Sequence, residues 1–238
     1  MIALLHAELL KLRTTRTFAA VVGTAAVLSL ILVGLGAGLG VEKDPHALFT
    51  NTSITYIIVL LGAIGMTGEW RHRTITGSVL AAPDRLRLLA AKAISYSVAG
   101  VVLSLLVTVA TMLVGTLILA GRGEETLGAG GLADVLWRNL AVAALLGPLG
   151  VAFGALIRNQ IVTVVGLIAT AAVLEPAISQ VAPDVGRFGP LAGAPGGVLG
   201  GVDAGALLAP GLAVVVLIGW AVLVFAAAAL RLDRRDLV

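Results

Sequence analysis

Six runs of about twenty residues, each nearly free of charge, divide this chain and leave few folds open to it. They cover Phe18–Gly40, Ser53–Gly68, Ala93–Ala120, Asn139–Ile157, Ile161–Val181 and Ala209–Leu230. A helix rises about 1.5 Å per residue, so twenty residues cross a hydrocarbon core of about 30 Å. None of the runs alternates apolar and polar residues as a barrel strand would. The predicted fold is all-α: a polytopic integral membrane protein with six transmembrane helices. Composition agrees, since 59% of the 238 residues are hydrophobic and 12% charged, against about 45–50% and 25% in soluble domains. The second run is short and needs a turn from Asn51–Thr52 or from Glu69–Trp70. The third is long enough to tilt, or to emerge as a helix outside the bilayer.

Basic residues in the connections set the orientation. Lys11, Arg13, Arg16, Arg71, Arg73, Arg85, Arg87, Lys92, Arg158, Arg231, Arg234 and Arg235 fall on one side, and Lys43, Arg122, Arg138 and Arg187 on the other. The acids run the opposite way, five against eight, which gives the two sides formal charges of +7 and −4. Both termini are therefore expected in the cytoplasm, with the chain multi-pass in the cell (inner or plasma) membrane. An isoelectric point near 9.8 reads as anchoring charge facing the lipid bilayer, and no nucleic acid partner is expected. A cleaved signal peptide is the rival reading of residues 1–40. The first run, at about 23 residues, exceeds the usual 7–15 of such peptides, and cleavage would leave the C-terminal arginines outside.

Residues 1–17 read as an interfacial amphipathic helix, with Ile2, Leu5, Leu9 and Leu12 on one stripe and Glu8, Lys11 and Arg13 off it. A plain anchor ahead of the first span is the simpler reading. Residues 18–230 form the transmembrane domain and 231–238 a cytoplasmic tail. The outer segment 183–208 is rich in Gly and Pro yet poor in charge, so short packed helices and turns are expected there, at the interface or dipping into the membrane.

Catalytic patterns are missing. The sequence has no G-x-x-x-x-G-K-[ST] phosphate loop, no H-E-x-x-H and no G-x-S-x-G, so ATP hydrolysis by the first route and the enzyme classes tied to the others are excluded. His6, His46 and His72 lie far apart in the sequence, and without cysteine neither a thiolate metal site nor a disulfide can form. No catalytic residue, metal ligand or cofactor site is assigned. Glu175, followed by Pro176, is the one acid inside an apolar run. It either sits near the outer end of the fifth helix and reaches water, or lines a path as a polar or proton site. Glycines four apart, Gly34/Gly38, Gly36/Gly40 and Gly150/Gly154, would permit close helix approach.

The richest stretch is Glu69–Lys92, EWRHRTITGSVLAAPDRLRLLAAK. Glu69 closes the second run and can pair with Arg73 one turn on. Thr74 to Leu80 fits a short interfacial helix. Pro83–Asp84 breaks the chain, and Asp84 is placed to cap a new helix. Arg85, Arg87 and Lys92 then flank leucines before the third run. Three or four basic residues would suffice as an anchor, so this length fits a docking segment as well as an anchoring one.

At these residues the chain resembles the membrane subunit of a type-two ABC exporter. The shared pattern is an acid closing the second helix, a basic stretch with Thr, then Leu, Pro, Arg and Lys leading into the third: Glu69, Arg71, Thr74, Leu80, Pro83, Arg85 and Lys92. Arg73 stands where that family often has a small residue. Ala7 to Thr17, AELLKLRTTRT, is similar to the start of many bacterial members. The resemblance implies a bacterial permease working as a dimer with itself or a paralogue, driven by a separate ATP-binding cassette ATPase subunit. Segment 69–92 would be the coupling element, with Arg71, Arg73, Arg85 and Arg87 pairing with acids on the ATPase. Glu69 would tie the segment to the second span or to the N-terminal helix. Two other classes stay open: a membrane scaffold or sensor without transport, and an ion-coupled carrier centred on Glu175.

Overall fold

The computed structural model describes residues 2–42, 44–50, 52–72, 74, 84–200 and 207–234, and among these the only regular structure is helical. In chain order come α1 (Ile2–Thr14), α2 (Arg16–Leu39), α3 (Pro45–Phe49), α4 (Thr52–Arg71), α5 (Arg85–Gly121), α6 (Ala129–Ile157) and α7 (Gln160–Ala169). A π-helical turn, Thr170–Leu174, joins α7 to α8 (Glu175–Val181), followed by α9 (Pro183–Gly186), α10 (Gly193–Leu199) and α11 (Pro210–Arg234). Among the described residues, six helical stretches are long and apolar enough to cross a membrane: Phe18–Leu39, Pro45–Arg71, Arg85–Gly121, Ala129–Ile157, Gln160–Val181 and Pro210–Arg231.

Local chemistry explains most boundaries. Gly40, at φ 63°, ends α2 in the left-handed region that a residue without Cβ enters freely. The Asp44 carboxylate accepts from the His46 N–H to start α3, and the Asn159 side chain accepts from the Val162 N–H to start α7. Asp84 accepts from the N–H groups of Leu86 and Arg87, so the break at Pro83–Asp84 does begin a capped helix. That helix is longer than the third apolar run. Its 37 residues extend to about 55 Å, well beyond the roughly 30 Å of a hydrocarbon core.

Two boundaries differ from expectation. The short second run borrows from both flanks, since α4 runs from Thr52 to Arg71. The fourth helix begins at Ala129 rather than Asn139, because its charges are satisfied within the protein. Arg138 pairs with Asp134 one turn back at 2.6 Å and donates to the Val198 carbonyl at 2.9 Å. Charge that reads as loop in the sequence is helix here.

Helix α6 is the centre of the bundle and packs against α4, α5 and α11. Ile58, Val107, Leu146, Leu149 and Leu217 belong to this shared core. Missing side chains allow the closeness: a methyl at Gly150 would meet the Val59 carbonyl of α4, and one at Gly154 would meet Met66 and the Ala63 carbonyl. Gly34 and Gly38, with the same spacing, face open space instead. Pro148 lies inside α6 and has no N–H for the carbonyl of Ala144. The Ser97 hydroxyl of α5 donates to that carbonyl at 2.8 Å, which satisfies it without water.

Helix ends gather by charge. Arg71 reaches Gln160, and Arg158 reaches the Arg231 carbonyl, at one end of the bundle. At the other, Arg122 donates to the Gly38 carbonyl and His46 meets Asp134.

Candidate functional site

Four charged side chains meet at the end of the bundle where α1, α4 and α5 converge. Lys92 Nζ lies 2.7 Å from Glu8 Oε2 and 2.7 Å from Glu69 Oε1. Lys11 Nζ lies 2.7 Å from the same Glu69 oxygen and 3.2 Å from Glu8 Oε1. Two ammoniums and two carboxylates leave no net charge. Lys92 is 1% exposed, Glu8 6% and Glu69 7%, while Lys11 stays half exposed. A single ion buried alone would cost several kcal/mol, roughly, and mutual contact offsets that only when every partner is in place. Burial pushes the Lys11 ammonium down, but the hydrogen bonds and charges of Glu69 and Glu8 outweigh it and hold its pKa above 10.5.

The helices aim these groups by period. Leu88, Leu89, Lys92 and Tyr96 are all buried, and three- and four-residue spacing sets them on one face of α5. Lys92 is therefore a core residue of a helix, not a loop cation ahead of the third span. On α1 the buried pair is Glu8 and Leu12, while Leu9 and Leu10 are exposed. The face of α1 packed on the bundle turns toward Glu8, where it meets Lys92.

The other expected site residues occupy different surroundings. The Arg71 guanidinium donates to the Gln160 side chain at 3.3 Å. Thr74 donates its N–H to the Glu69 carbonyl at 3.0 Å, closing the end of α4. Arg87 is exposed and meets Asp84 at 2.9 Å, and Arg85 stands beside it in the first turn of α5. Arg73 and Pro83 lie outside the described residues, as does all but Thr74 of the stretch expected to form a short interfacial helix.

Glu175 is buried, 4% exposed. Its carboxylate accepts from the N–H groups of Leu191 at 2.9 Å, Ala192 at 2.6 Å and Gly193 at 3.1 Å. The expectation that it reaches water is thus overturned. The π-helical turn directly before it, closed by the Glu175 N–H on the Thr170 carbonyl, shifts the helical register just ahead of Pro176. The side chain points into the protein and fastens the segment after α9 to the fifth span.

Glu8, Lys11 and Tyr96 had no place among the expected site residues. Lys92 carried a usable signal: a lysine on the same helical face as Leu88 and Leu89, downstream of a capped start, needs an acid to meet it. Which acid is a tertiary fact, since Glu8 precedes it by 84 residues.

Between α1, α2, α4 and α5 the cluster borders a cleft of about 500 Å³. Phe18, Val21, Leu61 and Ile64 form its apolar wall, and Lys11, Arg71 and Gln160 line it toward the charged end.

A family model described as ABC-2 family transporter protein matches residues 4–172. The match runs from α1 into the fifth span, taking in all four residues of the charged cluster and leaving out Glu175. No curated protein matches the chain.

Proposed function

The chain belongs to the ABC-2 transporter family, and from that premise we propose that it is the permease subunit of an ATP-driven exporter. It pairs with a second permease chain, itself or a paralogue, and takes its energy from a separate ATP-binding cassette subunit docked on segment 69–92. The positive end of the bundle then faces the cytoplasm, as the basic residues require.

One observation carries this reading. The segment begins at Glu69 and ends at Lys92, 23 residues apart in sequence, and these two side chains touch at 2.7 Å. Both also touch α1, through Lys11 and Glu8. A load applied to the segment therefore reaches the second span, the third span and α1 together. Nucleotide binding changes the state of a permease only through contacts that differ between the states, and a segment bolted at both ends transmits such a difference. Arg85 and Arg87, in the first turn of α5, offer cations toward acids on the ATPase, with Arg71 at the end of α4.

Purification from the native membrane in mild detergent, with partners identified by mass spectrometry, tests the proposal. A stoichiometric ATPase with a phosphate loop is expected, and Arg85→Ala/Arg87→Ala should weaken its retention by up to roughly thirtyfold, at up to about 1 kcal/mol for each of the two contacts. A stoichiometric partner without that loop would instead make the chain a scaffold. Neutralising all four cluster residues, as Glu8→Gln/Lys11→Met/Glu69→Gln/Lys92→Met, separates coupling from folding. This variant should insert and bind the ATPase yet lose transport-linked ATP turnover. No observation favours a carrier centred on Glu175, whose oxygens are taken up by backbone amides.

A further inference from the structure

The cleft beside the charged cluster carries more donors than the protein uses. Tyr96 is 7% exposed and lines the cleft. Its ring lies over Gly65, where a methyl group would collide with the phenol, so the hydroxyl is held at the cleft wall. That hydroxyl takes part in no hydrogen bond among the described residues, although a phenol at this depth ordinarily finds a partner. The Lys11 ammonium has three N–H groups and places them on only two acceptors, Glu8 and Glu69. Arg71 donates to the neutral Gln160 and to no carboxylate among the described residues. Glu8 and Glu69 also line the cleft, but each already faces both ammoniums.

The apolar wall runs from this donor set along Phe18, Leu61 and Ile64, residues inside the membrane-spanning stretches. The cleft is thus cationic and donor-rich where headgroups lie and apolar where acyl chains lie. Basic pockets between spans take anionic headgroups for this reason, and about 500 Å³ falls within the usual size of a ligand site. One feature keeps the space open: Gly68 lines it, and a Cβ there would meet nothing within 4 Å.

We propose that this cleft binds one anionic phospholipid, its phosphate held by Tyr96, Lys11 and Arg71 and one acyl chain lying along Phe18, Leu61 and Ile64. The inference rests on the cleft and not on the exporter reading, so a chain that failed to recruit an ATPase would still be expected to bind the lipid.

The test is native mass spectrometry of the detergent-purified full chain titrated with dioleoyl phosphatidylglycerol, dioleoyl phosphatidylcholine, glycerol phosphate or inorganic phosphate. One phosphatidylglycerol per chain should be retained about tenfold more tightly than phosphatidylcholine, whose choline cation offsets the attraction of its phosphate to Lys11 and Arg71. Gly68→Leu, whose Cβ meets nothing within 4 Å, places an apolar side chain in the cleft and should abolish that preference, and Arg71→Gln should reduce it. Gly38→Leu, which adds the same side chain to open space at the opposite end, should change nothing. Equal retention of the two lipids, or a preference unmoved by Gly68→Leu, would overturn the proposal. Tight binding of glycerol phosphate or inorganic phosphate, without lipid preference, would replace it with a soluble-anion site.

Discussion

Removing the charge of Lys92 leaves Glu8 and Glu69 buried with Lys11 as the one remaining partner between them in the cluster. Stranding a buried charge in this way typically costs about 3–5 kcal/mol, whereas replacing a whole buried set by groups of similar size is often neutral. Lys92→Met should therefore lower the melting temperature in detergent sharply, and the fourfold neutral variant should recover most of it. Equal melting of Lys92→Met and the parent would show that these charges do not hold the structure. Glu175 permits a parallel comparison. Its carboxylate serves three amides, and each buried N–H left without an acceptor costs about 1–3 kcal/mol. Glu175→Gln keeps one acceptor oxygen and should melt above Glu175→Ala. The reverse order would argue against a clamp.

Among the elements, α4, α5 and α6 are set by backbone approach as much as by side-chain packing. Gly150→Ala drives a methyl onto the Val59 carbonyl and should destabilise the protein, whereas Gly34→Ala enters open space and should gain up to about 1 kcal/mol of helix propensity. Parallel melts of the two variants check the contrast, which spacing alone could not draw because both glycines belong to four-residue pairs. The spans themselves were legible: long apolar runs admit little else, and Pro83–Asp84 marked the start of α5. The early start of α6 was hidden because Asp134 and Arg138 answer one another inside the helix, and hydropathy reads them as two solvated charges. The inward turn of Glu8 and the capture of Glu175 were hidden for a different reason. Each depends on a partner supplied by another element, Lys92 for the first and the amides of Leu191 to Gly193 for the second.

For the whole molecule, the separation of basic residues to the two ends of the bundle makes orientation measurable. The sequence contains no cysteine, so single cysteines report without a background. Arg87→Cys should react with a membrane-impermeant maleimide only after cells are permeabilised, and Glu124→Cys should react in intact cells. The opposite pattern would invert the bundle and place segment 69–92 out of reach of any ATPase.

The meeting of α1 with α5 also carries a schedule. Glu8 is synthesised 84 residues before Lys92, and at about 5–20 residues per second that gap lasts roughly 4–17 s. Until the third span emerges, α1 has no lysine from α5 to receive its acid, so its final seat can be taken only after two spans are already in the bilayer. Helix α1, made before α5, settles only after it, and a ribosome halted before Lys92 would leave α1 waiting at the membrane surface.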